Sequence, residues 1–184
     1  MAVKKTATKK QVNKMGGSLP HPALMHLKKA DPKLYRAALP HHDTILASME
    51  HRRRYDALFP ALAGSIVSQQ LSTKAADTIW ARLEKACKGT VTPEAILRLR
   101  ETTMRKAGLS AAKIKTLKQL SKALTEGALD LKKLGAMPED DAVAALSAIW
   151  GIGRWTAEMF LIFALQKDDV FSPGDLGLRR SVEA

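Results

Sequence analysis

Apolar residues recur at three- and four-residue steps along most of this 184-residue chain, and the alternation of a half-buried strand is nearly absent. Between Asp56 and Gln70 the apolar positions are Leu58, Phe59, Leu62, Ile66 and Val67, and in the next segment they are Ala75, Ala76, Ile79, Trp80 and Leu83. Each set lies along one helical stripe, so the pattern predicts two helices joined around the sequence SQQLS. Asp31-Pro32 and Thr92-Pro93 each offer a capping side chain followed by proline at the first helical position, and the first of these helices should end near Leu39-Pro40. Ser110 caps a predicted helix running to Gly127, which turns Ile114, Leu117, Leu120 and Leu124 inward and carries Lys115, Lys118 and Lys122 on other faces. Lys118 and Lys122 repel one another unless an anion lies between them, so they read as a solvated face or as a phosphate contact. Glu139, Asp140 and Asp141 occupy a predicted first turn, where carboxylates complement the helix dipole; adjacent acids are also a metal-binding pattern. Nine or ten short helices and an all-α fold are expected.

The helix behind those acids turns Val143, Leu146 and Ile149 inward and stops at Ile149 or Trp150, and a new one starts at Arg154. Only a very short hairpin holding Gly151 and Gly153 joins them. Glycine at both positions permits positive φ and leaves no side chain over the turn. Backbone N–H groups opening the next helix are then uncovered, which suits a phosphate oxygen; a Gly-closed helix cap that merely precedes another helix has the same sequence. Seven apolar residues, Met159 to Leu165, make the helix after the hairpin central. Beyond it Pro173-Gly174 turns the chain and puts Asp175 at the N-terminus of LGLRRS, where an acid is ordinarily an N-cap.

Composition narrows the function classes. A net charge of +12, with five lysines and no acid in the first twenty residues, points to a polyanionic partner, nucleic acid first among them. Residues 1–19 have too little apolar content to stay ordered and are expected to form a flexible basic arm. The lone cysteine, Cys87, excludes a disulfide framework and any Cys-rich metal or iron-sulfur site; it is expected to be a small buried apolar residue in a reducing, intracellular setting. No apolar run approaches the ~20 residues of a membrane span, so a soluble chain with no membrane partner is expected. The five histidines make no metal-ligand spacing, and Trp80 and Trp150 have no assignment beyond packing.

Three segments occur in order: IVSQQLSTKAA at 66–76, GIGRWTA at 151–157 and GDLGLRR at 174–180. With the hairpin Ile149-Trp150-Gly151-Ile152-Gly153 and an aspartate 22 residues after Gly153, they resemble the helix-hairpin-helix superfamily of base-excision DNA glycosylases. Within it the resemblance is to the 3-methyladenine DNA glycosylase II family, and it covers roughly residues 58–181. It implies two helical lobes with the active site in the cleft between them. One is a central lobe over about 58–166; the other is built from 20–57 plus 167–184 and is expected to be incomplete, since the family's chain continues past the aspartate helix.

The resemblance also implies roles. Asp175 would be the catalytic carboxylate and Trp155 the ring that stacks on a flipped base, against an alternative as a core tryptophan. Gly151, Ile152, Gly153, Arg154 and Thr156 would grip the DNA backbone, and one of Gln69, Gln70 and Leu71 would enter the base stack, with Gln69 alternatively capping a helix end. Carbonyls of Ile149 and Ile152 could hold a monovalent cation; no metal on side chains and no cofactor are expected. Lyase members carry lysine two residues after the second glycine, as the amine of a Schiff base. Trp155 stands there, so base removal without strand cleavage is expected, from a monomer acting on double-stranded DNA with alkylated purines such as 3-methyladenine and 7-methylguanine, in an intracellular setting that would be the cytoplasm or nucleoid if the source is bacterial. A non-catalytic DNA-binding protein and a bifunctional glycosylase/lyase are the alternatives.

Overall fold

The computed structural model describes residues 22–41, 57–167 and 169–183, so the expected basic arm, Asp56 and the 42–56 part of the second lobe lie outside it. The chain divides into two units, residues 1–50 and 51–184. In the first, α1 (Pro22–Ala30) packs against α2 (Pro32–Ala38), and a 3₁₀ turn at Leu39–His41 ends the pair where the sequence placed the stop. Asp31 caps α2 as expected, one carboxylate oxygen accepting the N–H groups of Lys33 and Leu34 at 3.0 Å each.

In the second unit the order is α3 (Leu58–Ser68), α4 (Thr73–Ala86), α5 (Pro93–Arg98), α6 (Glu101–Ala107), α7 (Ala111–Thr125), a 3₁₀ turn at Lys133–Ala136, α8 (Glu139–Ser147), α9 (Arg154–Phe163) and α10 (Leu176–Glu183). Among the described residues there are ten α-helices and no strand. Apolar residues on most of its faces make α3 the centre: Leu62, Ala63, Ile66 and Val67 are buried and it packs on α4, α7 and α9. Thr92 and Ser110 cap α5 and α7 as their positions predicted, and α7 buries Ile114, Leu117 and Leu120 while Leu124 is half-buried at the stripe's edge.

Several expectations change. Lys118 is neither solvated nor set for an anion: its ammonium donates to the carbonyls of Leu97 at 2.8 Å and Leu99 at 2.6 Å, satisfying the C-terminal end of α5. Lys122 pairs with Glu126 at an exposed 3.7 Å, an interaction worth little. Cys87 is half-buried against the core rather than buried, and desolvation raises its thiol pKa. The helix stops within the apolar run: α9 ends at Phe163, which is exposed, while Ala157, Phe160 and Leu161 are buried and Ala164 and Leu165 pack on the core beyond its end. Glu139, Asp140 and Asp141 do form the first turn of α8, and no three His, Cys, Asp or Glu among the described residues group as a metal site. No described helix is long and apolar enough to cross a membrane.

Candidate active site

The hairpin between α8 and α9 is a turn in which the N–H of Ile152 donates to the carbonyl of Ile149 at 3.0 Å. Gly151, the third residue, has φ +87, the value a type II turn demands there, and a Cβ on it would collide with the Thr116 side chain of α7. Gly153 departs from expectation. It is extended at φ −87 and a Cβ would meet nothing within 4 Å, so neither strain nor internal packing requires glycine. As N-cap of α9 it has no side chain to cap the first-turn N–H groups, and the first N–H bonded back along the helix is that of Ala157, which donates to the Gly153 carbonyl at 3.0 Å. Open space beside bare backbone donors is what an incoming phosphate needs.

The SQQLS segment lies against this hairpin. Gln69 Nε2 donates to the Gly151 carbonyl at 3.3 Å and to Thr156 Oγ1 at 3.1 Å. Thr156 is therefore buried with its side chain turned inward, and Gln69 ties hairpin to loop instead of pointing outward. Gln70, at φ +57, and Leu71 are exposed beyond it. Lys113 of α7 fastens the loop from beneath, its ammonium donating to the carbonyls of Val67 at 2.7 Å and Gln69 at 2.9 Å; burial lowers its pKa.

Asp175 is the N-cap of α10, with Oδ1 accepting the Leu178 N–H at 2.9 Å. Its other oxygen accepts the Trp155 indole N–H at 2.8 Å. These donors, the Leu178 N–H first and Trp155 second, hold the carboxyl below the ordinary aspartate pKa. Trp155 is not a core residue: it is 45% exposed, in the first turn of α9. The hairpin helix and the carboxylate are thus joined by one indole.

Arg154 lies at the hairpin with its guanidinium already engaged, by Glu158 at 2.7 Å and Asp140 at 3.3 Å. Trp150 is exposed and carries the Lys115 ammonium 4.2 Å from its ring centroid, so it does not pack into the core as its apolar character suggested. Neutral carbonyls suit a monovalent cation, and the Ile149 oxygen keeps one lone pair after the turn hydrogen bond. A cavity of about 560 Å³ between α3, α4 and α9 is walled by Gly64, Trp80, Met159 and Phe163 among others but by neither Trp155 nor Asp175.

The family model described as HhH-GPD superfamily base excision DNA repair protein matches residues 63–184. The chain belongs to the HhH-GPD superfamily. It is 38% identical over 135 residues to DNA-3-methyladenine glycosylase 1 of Schizosaccharomyces pombe, covering 72% of this chain and 58% of that protein. It is 33% identical over 168 residues to the DNA-3-methyladenine glycosylase of Saccharomyces cerevisiae, covering 86% of this chain and 57% of that protein. The chain therefore spans somewhat over half the length of these relatives. Among solved structures, the DNA-3-methyladenine glycosidase of Bacillus halodurans superposes with TM-score 0.66 at 40% identity, over 68% of this chain and 58% of that one. The Schizosaccharomyces pombe enzyme in complex with abasic DNA gives 0.63 at 35%, over 70% and 64%. These likenesses bear out the all-α HhH-GPD fold read from the three segments.

Sequence reasoning missed Glu158 and Ser172, both buried, and Lys113. Glu158 had a signal: it is the one charged residue within the segment from Trp155 to Phe163 of α9.

Proposed function

We propose that this HhH-GPD chain is a monofunctional DNA glycosylase of the 3-methyladenine type II kind, which extrudes alkylated purines from double-stranded DNA and hydrolyses the N-glycosidic bond, acting as a monomer. The observation that carries the reading is the Asp175 carboxylate, held ionised by the Leu178 N–H and the Trp155 indole beside the uncapped hairpin helix. A purine alkylated at N3 or N7 is cationic and leaves without a general acid, so one carboxylate suffices where glycosidases use two. As the C1′–N bond breaks, its electron pair neutralises the base, and Asp175 stabilises the positive charge growing on the sugar. Water then bonds to C1′ and loses its proton through Asp175 to solvent.

The half-exposed Trp155 ring suits stacking on a cationic ring, and its indole cannot form a Schiff base, which weighs against a lyase. Backbone donors of Arg154 and Trp155 would take a phosphate at the hairpin, with exposed Gln70 or Leu71 filling the gap in the duplex. A monovalent ion at the Ile149 and Ile152 carbonyls would add positive charge facing that phosphate.

The test measures free base from duplex DNA holding 7-methylguanine or 3-methyladenine. Asp175→Asn is expected to slow release by about 10² to 10³-fold, the loss usual for one electrostatic group in a preorganised site. The strand should stay intact until alkali treatment, with no adduct trapped by borohydride. Because the folded carboxyl titrates below the ordinary range, release should hold as pH falls through the usual aspartate pKa and fail only below it. Unchanged release by Asp175→Asn would sink this mechanism.

A further inference from the structure

We propose that Glu158 and Ser172 are positioning residues that aim the Asp175 carboxylate, a role that rests on the glycosylase reading above. Glu158 is 2% exposed and Ser172 fully buried. The Ser172 hydroxyl donates to Glu158 Oε2 at 2.5 Å, while Glu158 Oε1 accepts from Arg154 Nε at 2.7 Å. Ser172 in turn opens the turn that delivers the aspartate: its carbonyl accepts the Asp175 N–H at 3.1 Å. One carboxylate therefore links the first residue of the hairpin helix to the turn carrying the catalytic group.

The aspartate has few other means of being held. Each α10 residue from Leu176 to Arg180 is exposed, so the helix's first turns give the N-cap little packing to rest on. Among the described residues between Lys167 and Asp175, Ser172 is the only fully buried one. Upstream, Lys167 anchors the connector by donating to the Met137 carbonyl. Helix α9 thus grips the catalytic segment at two points one turn apart, Trp155 on the carboxylate and Glu158 on the turn behind it. If Ser172 merely had to be covered, an apolar pair would do so without burying a carboxylate, an arrangement that is weak as a source of stability and strong as a source of geometry. Placement of a reacting group tolerates little error, so losing the second grip should show in the rate.

The experiment uses the full chain as wild type, Ser172→Ala, Glu158→Gln and the double variant, with a 7-methylguanine duplex as substrate and an abasic duplex as binding probe. Single-turnover release is expected to fall about tenfold for each single variant, in line with modest misplacement of a catalytic group. Affinity for the abasic duplex should stay within about twofold, since the hairpin backbone is untouched. The double variant should be no slower than the worse single, because both remove one interaction. Hydrogen exchange at the Asp175 and Leu178 amides should speed up while the buried turns of α9 keep their protection. Should Glu158→Gln fail to fold, Ser172→Ala carries the test alone. Normal release and normal exchange in Ser172→Ala would overturn the positioning role and leave the glycosylase reading intact, as would a parallel loss of rate, affinity and α9 protection. A wild-type chain that releases no base would overturn both.

Discussion

Two turns of one shape lie within hydrogen-bonding reach of each other. At 149–152 the Ile152 N–H closes on the Ile149 carbonyl with Gly151 third at φ +87; at 68–71 the Leu71 N–H closes on Ser68 with Gln70 third at φ +57. Each joins two helices, and Gln69 ties one to the other. They differ in what they present. The hairpin is pressed against Thr116, buries Ile152 and shows bare backbone, whereas the loop shows the side chains of Gln70 and Leu71 and keeps a non-glycine residue in a left-handed conformation. One shape can therefore serve opposite ends: backbone donors for a phosphate, or side chains for the space between bases.

The sharpest break comes from Gly151→Val. Both the positive φ and the collision with Thr116 must be relieved, so a loss of ~3 kcal/mol or more is expected, read as a lowered urea midpoint. Gly153→Val should do the reverse. Its Cβ meets open space at φ −87, so stability should fall by no more than about 1 kcal/mol for a poor N-cap, while the side chain stands over the backbone donors and duplex affinity drops about tenfold. Equal affinity in a folded Gly153→Val would remove the phosphate from the hairpin.

Next in size is the tie between the turns. Gln69→Ala removes two hydrogen bonds and leaves the buried Thr156 hydroxyl without its Gln69 donor, a cost of about 1–2 kcal/mol by thermal unfolding. Adding Thr156→Val should restore part of it, since both partners are then gone. If Gln69→Ala were silent, the two turns would be independent devices.

How much of this was legible in the sequence follows from the range of each interaction. Caps at Thr92, Ser110 and Asp175 bond to backbone three residues on, so side-chain identity and position were enough. The two glycines looked alike because a hairpin permits positive φ at both; the structure separates them by backbone, φ +87 against −87, and by the nearness of Thr116, 35 residues from Gly151 in sequence. Lys118 read as a solvated face or a phosphate contact, and Lys113 drew no assignment, because the helix ends they satisfy come from segments 19 to 46 residues earlier. Burial of Glu158 likewise needed Ser172, from a connector with no helical pattern.

The smallest stability effect should come from Gln70→Gly, and it sharpens the comparison most. A left-handed glutamine is held at a cost on the order of 1 kcal/mol, with Lys113 fixing the carbonyls of Val67 and Gln69 on either side of Ser68. Glycine relieves that strain but adds freedom to the unfolded chain by a similar amount, so the unfolding midpoint should move by less than about 1 kcal/mol in either direction. Were the loop only a connector, base release would be unchanged too. As a filler of the gap left by an extruded base, it should lose rate without losing stability, and Leu71→Ala, at a side chain 38% exposed, should do the same. Two folded variants with wild-type release would make the loop a mere joint between α3 and α4, and the likeness of the two turns would then be one of shape alone.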